Sequence, residues 1–267
     1  MGDEDPGAEE LRQLRKEVKE LQVLVAELWT ARRAEGRTPG TGRLRTFVEG
    51  FDEALEGGIP RGHVVLVAGP SGSLKTTLCL QMVARHRAQG TPGLYLSLEE
   101  SRESLTRTLQ RLGLGAEGDF IVDVGRMRLE HEAAQDARDW FSILRDYLQR
   151  RTEREPIGLL VIDPVNSLYS LSAMENPRRE LFEFFAFLKG LGITSLLVCE
   201  SEENEVAFRH QEDFLADGTL TLSFRDASGR VDLVLRCAKM RHTLHSRDPY
   251  RITLAGGTLT ASPVGPA

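Results

Sequence analysis

The stretch Val64-Val65-Leu66-Val67-Ala68-Gly69-Pro70-Ser71-Gly72-Ser73-Leu74-Lys75-Thr76-Thr77 constrains this chain more than any other. Its apolar start reads as a buried parallel strand. A Gly/Ser-rich turn follows, and Lys75-Thr76-Thr77 opens a helix continued by Leu78, Leu80, Met82 and Val83. Small residues at such a turn let backbone N–H groups and the helix N-terminus approach an anion closely. Gly69, Pro70, Ser71, Gly72, Ser73, Leu74, Lys75, Thr76 and Thr77 therefore read as a loop that wraps a triphosphate. In it Lys75 reaches the β- and γ-phosphates and the Thr76 hydroxyl sits on Mg²⁺. The spacing is that of G-x-x-x-x-G-K-[ST], except that Leu74 stands where glycine is expected, which bears on the loop's geometry more than on its identity. The competing reading is an ordinary strand–turn–helix with an incidental Lys-Thr pair. The strand before and the helix after favour the phosphate loop.

The 267 residues suffice for one sizeable α/β domain plus an appendage. A net charge of −6 argues against a general binder of nucleic acid or of anionic membranes. The longest apolar runs have strand length, so no membrane span is expected. The acidic start Met1-Gly2-Asp3-Glu4-Asp5-Pro6 lacks the apolar segment of a signal peptide. Cys79, Cys199 and Cys237 are widely spaced within apolar patterns, as reduced thiols of a cytoplasmic protein would be.

Along the chain, residues 1–9 read as a disordered acidic leader. Residues 10–31 carry Leu11, Leu14, Val18, Leu21, Val25 and Leu28 at heptad spacing. That helix is either a short coiled coil or partner-docking element, or an amphipathic helix packed on its own domain, a view that Leu24 supports by widening the stripe. Residues 32–44 read as a linker, 45–258 as the main domain and 259–267 as a flexible tail. Within the domain, strands and helices alternate, which predicts an α/β fold with a mostly parallel sheet covered on both faces. Strands are expected at Leu94–Leu98, Phe120–Val124, Ile157–Ile162 and Thr194–Cys199, and helices at 101–112, Asp136–Arg151 and Glu180–Lys189. Glu202–Asp213 reads as a loop. A C-terminal β-hairpin is expected around Asp226-Ala227-Ser228-Gly229, with a further strand at Tyr250–Leu254.

Asp163 ends an apolar strand, where open parallel sheets bind ligands, and an acid there can hold Mg²⁺ beside Thr76. A plain helix-capping aspartate is the alternative. Glu99 and Glu100 end the strand after the phosphate-loop helix. A carboxylate at that point can orient or deprotonate an attacking water, with Glu99 in that role and Glu100 in support, although two acids before a helix also suit its dipole. Lys239 and Arg241, two apart on extended chain, form either a solvated pair or a charge offered across a subunit boundary to a γ-phosphate.

In these residues the chain resembles the KaiC-like branch of the RecA-superfamily ATPases. The resemblance runs from about Leu44 to Leu254 and is carried by Val48-Glu49-Gly50-Phe51-Asp52, Gly57-Gly58-Ile59-Pro60-Arg61-Gly62, the phosphate loop and Ser97-Leu98-Glu99-Glu100-Ser101. Val161-Ile162-Asp163, Asp213-Phe214-Leu215-Ala216-Asp217 and Lys239-Met240-Arg241-His242-Thr243 continue it in order. It implies a RecA-like fold, Glu99 as general base, Asp163 as the Walker B acid, and Lys239 and Arg241 acting in trans within a homo-oligomeric ring, commonly a hexamer, with ATP at subunit interfaces. A clock kinase activity is not implied, since no autophosphorylated Ser/Thr pair can be placed. Two rival readings stand beside this one. One is a nucleotide-sensing switch or scaffold without useful turnover, acting through residues 10–31. The other is a RecA/RadA-like DNA-repair accessory, against which the acidic balance weighs.

Overall fold

A computed structural model describes residues 42–115, 117–126, 140–172, 176–201, 212–227 and 229–264. The expected leader, the heptad helix, most of the linker and nearly all of the loop at 202–213 lie outside the described residues. Eleven strands are present among them. Two short ones, β1 (Arg43–Leu44) and β2 (Ile59–Pro60), pair with each other. The other nine form one sheet: β3 (Val64–Gly69), β4 (Gly93–Ser97), β5 (Ile121–Asp123), β6 (Leu159–Asp163), β7 (Thr194–Glu200), β8 (Gly218–Ala227), β9 (Arg230–Met240), β10 (Tyr250–Ala255) and β11 (Thr258–Pro263). Their order is β11-β10-β9-β8-β3-β7-β6-β4-β5. From β8 to β5 every neighbour is parallel, and β9, β10 and β11 extend that sheet antiparallel.

The central parallel strands are largely apolar between their ends because both faces are covered. Alternate residues supply two cores. Val65, Val67, Tyr95, Val161, Leu196 and Val198 face the helices α1 (Lys75–Ala88) and α2 (Arg102–Arg111). Leu66, Ala68, Leu96, Leu160, Ile162 and Leu197 face α3 (Trp140–Arg154), α4 (Asn166–Leu171) and α5 (Pro177–Gly190). In α5 the spacing of Leu181, Phe184, Phe185 and Leu188 puts all four inside. Asn176 caps its start by accepting from Arg179 N at 3.1 Å, and Pro177 opens the first turn, where its missing N–H costs nothing. Burying one such leucine or phenylalanine contributes about 1.5–3 kcal/mol. A short turn, α6 (Glu212–Leu215), leads into β8.

The expected hairpin joins β8 to β9, with Ala227 opposite Arg230. Two boundaries differ from expectation. Residues 259–263, assigned to a tail, lie in β11, where Leu259 is buried and pairs with Leu254. Their Gly/Thr/Ser-rich composition reflects a tight Gly256-Gly257 turn, with φ of 57° and 78°, followed by a sheet edge. Arg43 and Leu44, assigned to the linker, form β1, and Leu44 is fully buried. Between β1 and β2 the only helical element among the described residues is a 3-10 turn at Glu53–Leu55. Cys79, Cys199 and Cys237 are buried free thiols, and burial pushes the Cys237 thiol up to about 12. Among the described residues no helix is long and apolar enough to cross a membrane.

Candidate nucleotide site

The chain crosses from β3 through α1 to β4, passing over β7 and β6. A crevice therefore opens at the carboxyl ends of these strands. Sheet register sets its walls: Gly69 is level with Glu200, and Asp163 with Ser97. The resulting cleft of about 340 Å³ is lined by Ser71 to Thr77, Ser97, Glu99, Glu100, Asp163, Pro164 and Glu200.

The loop folds back over its own start. The carbonyl of Pro70 accepts from the Ser73 hydroxyl at 2.7 Å and from Lys75 Nζ at 2.8 Å. Gly69 has no substitute: a Cβ there would stand 2.5 Å from the carbonyl oxygen of Leu222. Leu74 takes the left-handed backbone, φ 64° and ψ 19°, that the usual glycine would adopt without cost. For a side chain with Cβ this conformation costs about 1–2 kcal/mol. The Leu74 side chain lies against the core beneath α1, which offsets part of that cost. Lys75, Thr76 and Thr77 are the first helical residues, so their N–H groups have no carbonyl to meet within the helix.

Lys75 is almost fully buried, and burial pushes its ammonium below its ordinary range, with the charges of Glu200 and then Asp163 pulling the other way. Asp163 is buried as well. Burial raises its carboxyl, while hydrogen bonds from Tyr95 and Thr76 lower it, and the net shift is upward. Both donors meet the same oxygen: Thr76 Oγ1 donates to Asp163 Oδ2 at 2.7 Å, and the Tyr95 hydroxyl donates to it too. Asp163 Oδ1 is left without a hydrogen bond among the described residues. A hydroxyl and a carboxylate oxygen so placed form a hard donor set that suits Mg²⁺, not a soft transition metal. No cluster of three His, Cys, Asp or Glu side chains among the described residues is arranged to hold a metal alone. A divalent cation at Thr76 and Asp163 would thus rely on phosphate oxygens and water for its remaining ligands.

Glu99 and Glu100 both line the cleft but are held differently. The Glu99 carboxylate accepts from Ser167 Oγ at the start of α4. The Glu100 carboxylate accepts from Ser104 Oγ at 2.8 Å, in the first turn of α2, where Ser101 is the N-cap. Lys239 and Arg241 are not brought to this cleft. Lys239 is level with Thr219, and the neighbouring Gly218 is level with Val65. That is the opposite end of β3 from the loop, roughly 13 Å of strand away at about 3.3 Å per residue.

A model of the ATPase family described as "ATPase: KaiC" matches residues 44–261, the greater part of the chain. The chain belongs to the KaiC ATPase family. Among its relatives, a KaiC circadian clock oscillator protein of Rippkaea orientalis is 29% identical over 88% of this chain. The chain spans only 47% of that protein's length. A UPF0273 protein of Thermotoga maritima is 31% identical over 80% of this chain and is itself 94% covered. The crystal structure of a KaiC-like protein from Pyrococcus horikoshii superposes with a TM-score of 0.71 at 25% identity, covering 83% of this chain and 99% of that one. The fold is thus the RecA-like α/β fold of a KaiC-like ATPase domain.

Residue-by-residue reading of this KaiC-like sequence missed one wall of the cleft, Glu200, and two residues that support it from behind, Tyr95 and Asn166. Tyr95 sits in mid-strand, where it reads as one more apolar residue, and nothing local shows that its hydroxyl reaches Asp163. Glu200 ends β7 as Asp163 ends β6, so the same end-of-strand rule would have found it. Asn166 locks it in place: its Oδ1 accepts from Glu200 N at 2.8 Å and its Nδ2 donates to the Glu200 carbonyl at 3.3 Å.

Proposed function

We propose that this KaiC-like domain binds ATP with Mg²⁺ and hydrolyses it slowly at interfaces between copies of itself, in a ring for which a hexamer is favoured. Its role would be regulatory or assembly-related, in the cytoplasm. The observation that carries the reading is spatial: the cleft gathers the loop, Asp163 and Glu99 at one end of the sheet, while Lys239 and Arg241, which in this reading complete the site of a neighbouring copy, lie at the other end. Head-to-tail stacking of identical subunits joins such ends, and a rotation that closes makes a ring.

In this reading the amides of the loop and Lys75 cradle the β- and γ-phosphates. Thr76 and Asp163 would hold Mg²⁺, which would supply charge neutralisation at those phosphates. Glu99, held by Ser167, orients a water for in-line attack and takes its proton. Lys239 and Arg241 of the neighbouring subunit counter the charge that spreads over the γ-phosphate oxygens. Supplied in trans, a cation of this kind is worth on the order of 10³–10⁵ in rate, so an isolated subunit should be nearly inert. Residues 10–31 offer a contact for a partner or for another copy.

The test is ATP hydrolysis per subunit as a function of protein concentration, with Glu99→Gln alongside. A specific rate that climbs with assembly and collapses in Glu99→Gln supports the reading. A background rate at all concentrations, with ATP still bound, replaces it with a nucleotide-sensing switch.

A further inference from the structure

We infer that Asp217 is the positioning residue for Arg241, holding the lent cation in register with the strand that carries its own subunit's phosphate loop; this rests on the interfacial reading above. Asp217 lies between α6 and β8, its side chain only 13% exposed. One carboxylate oxygen, Oδ1, accepts from Arg241 Nη1 at 3.0 Å and from Lys189 Nζ at 2.9 Å. The other, Oδ2, accepts from Val64 N at 3.1 Å, at the first residue of β3. The main chain doubles two of these links: Asp217 N donates to the Val64 carbonyl, and Arg241 N to the Asp217 carbonyl, each at 2.8 Å.

Arg241 is therefore fastened by backbone and by side chain to a residue that is fastened in the same two ways to β3. A guanidinium has five N–H donors. Arg241 places a single one on Asp217, and its side chain remains 47% exposed. The stem is fixed while the outer edge of the fork stays available for a phosphate oxygen. Lys239 is held alongside by donating to the carbonyls of Asp213 and Ala216, both at 2.8 Å. Lys189, Lys239, Arg241 and His63 crowd this corner, and the Asp217 charge is what allows Arg241 to stay among them. Without it, repulsion drives the guanidinium into solvent, and a cation off its line loses rate without loosening ATP binding.

The experiment compares Asp217→Asn, Arg241→Ala and the double variant in the full-length protein, with assembly followed by light scattering and folding by thermal melting. Asparagine can still accept from Val64 N, so the fold is kept. With subunits assembled, Asp217→Asn should lower kcat about 10- to 100-fold, with KM for ATP within about twofold. The double variant should be no slower than Arg241→Ala alone, because both changes remove one function. Should Asp217→Asn fail to fold, Asp217→Glu takes its place: the displaced carboxylate lowers kcat in the parent but not in the Arg241→Ala background. An unchanged kcat, or losses that multiply in the double variant, overturns the role of Asp217 and leaves the interfacial site intact. An Arg241→Ala protein that assembles and turns over normally overturns the interfacial site and, with it, this role.

Discussion

The two ends of the parallel sheet are made from the same strands, yet they handle charge in opposite ways. At the carboxyl ends Glu99, Glu100, Asp163 and Glu200 surround one buried ammonium, Lys75, and glycine and serine leave backbone N–H groups open to the cleft. At the amino end of β3, Lys189, Lys239 and Arg241 surround one carboxylate, Asp217, whose oxygens are all engaged. Burial alone would raise the Asp217 carboxyl, but hydrogen bonds from Lys189 and Val64 N and nearby positive charge hold it below its ordinary value. The first end is acidic and open to a ligand that brings its own charge and cation. The second is closed on itself and presents cations outward. In the proposed reading neither end is a complete phosphoryl-transfer site, and the two are complementary.

Breaking the open end should have the largest effect. Lys75→Ala removes the buried ammonium of the loop and should reduce assembled turnover by about 10³-fold or more, with loss of nucleotide affinity measured by fluorescent ATP analogues. Arg241→Ala breaks the other end. It should cost a comparable 10³–10⁵ in kcat, but single-subunit ATP affinity, measured by titration calorimetry, should stay within about twofold. If both variants lose affinity alike, the two ends do not divide the work as described. Tyr95→Phe sharpens the comparison from beneath the cleft. It deletes one donor to Asp163 and should lower stability by about 1–3 kcal/mol in denaturant melts, while raising the Mg²⁺ concentration needed for nucleotide binding.

A pH series separates the ends by stability. The folded-state pKa of Asp217 is depressed, so its contribution is complete above the ordinary value of 3.8 and is lost as pH falls through the lowered one. The difference in Tm between the parent and Asp217→Asn should be constant from about pH 7 to 5 and shrink as pH falls below 3.8. Leu74→Gly should have the smallest effect. It relieves a left-handed leucine but removes its packing, so stability should change by no more than about 1 kcal/mol, and turnover should not fall. A large loss there would mean that the Leu74 side chain acts on the site itself.

What was legible in the sequence follows from what is local. The strands β3, β6 and β7 are apolar runs, and the loop between β3 and α1 is a fixed spacing of small residues around Lys75 and Thr76, so both could be read directly. Asp163 and the Glu99-Glu100 pair were found because a polar residue ending a buried strand is conspicuous. Contacts made across the sheet were not legible. Gln81 and His86 interrupt the apolar face of α1 because their side chains reach the backbone of Phe47 and Arg45, far back in the chain. The partner of Tyr95 lies on the neighbouring β6, and the partners of Asp217 come from α5, β3 and the end of β9. β11 was mistaken for tail because an edge strand with one buried leucine carries almost no periodic signal.

The most direct test of the central claim is a mixing experiment with Lys75→Ala, which spoils the cleft and keeps the cations, and Arg241→Ala, which does the reverse. Each alone should be inactive. Assembled together in equal amounts at random, about one interface in four pairs an intact cleft with an intact cation, and turnover should return to roughly that fraction of the parent's. Mixed assemblies that form, bind ATP and remain inactive would contradict a site shared between subunits.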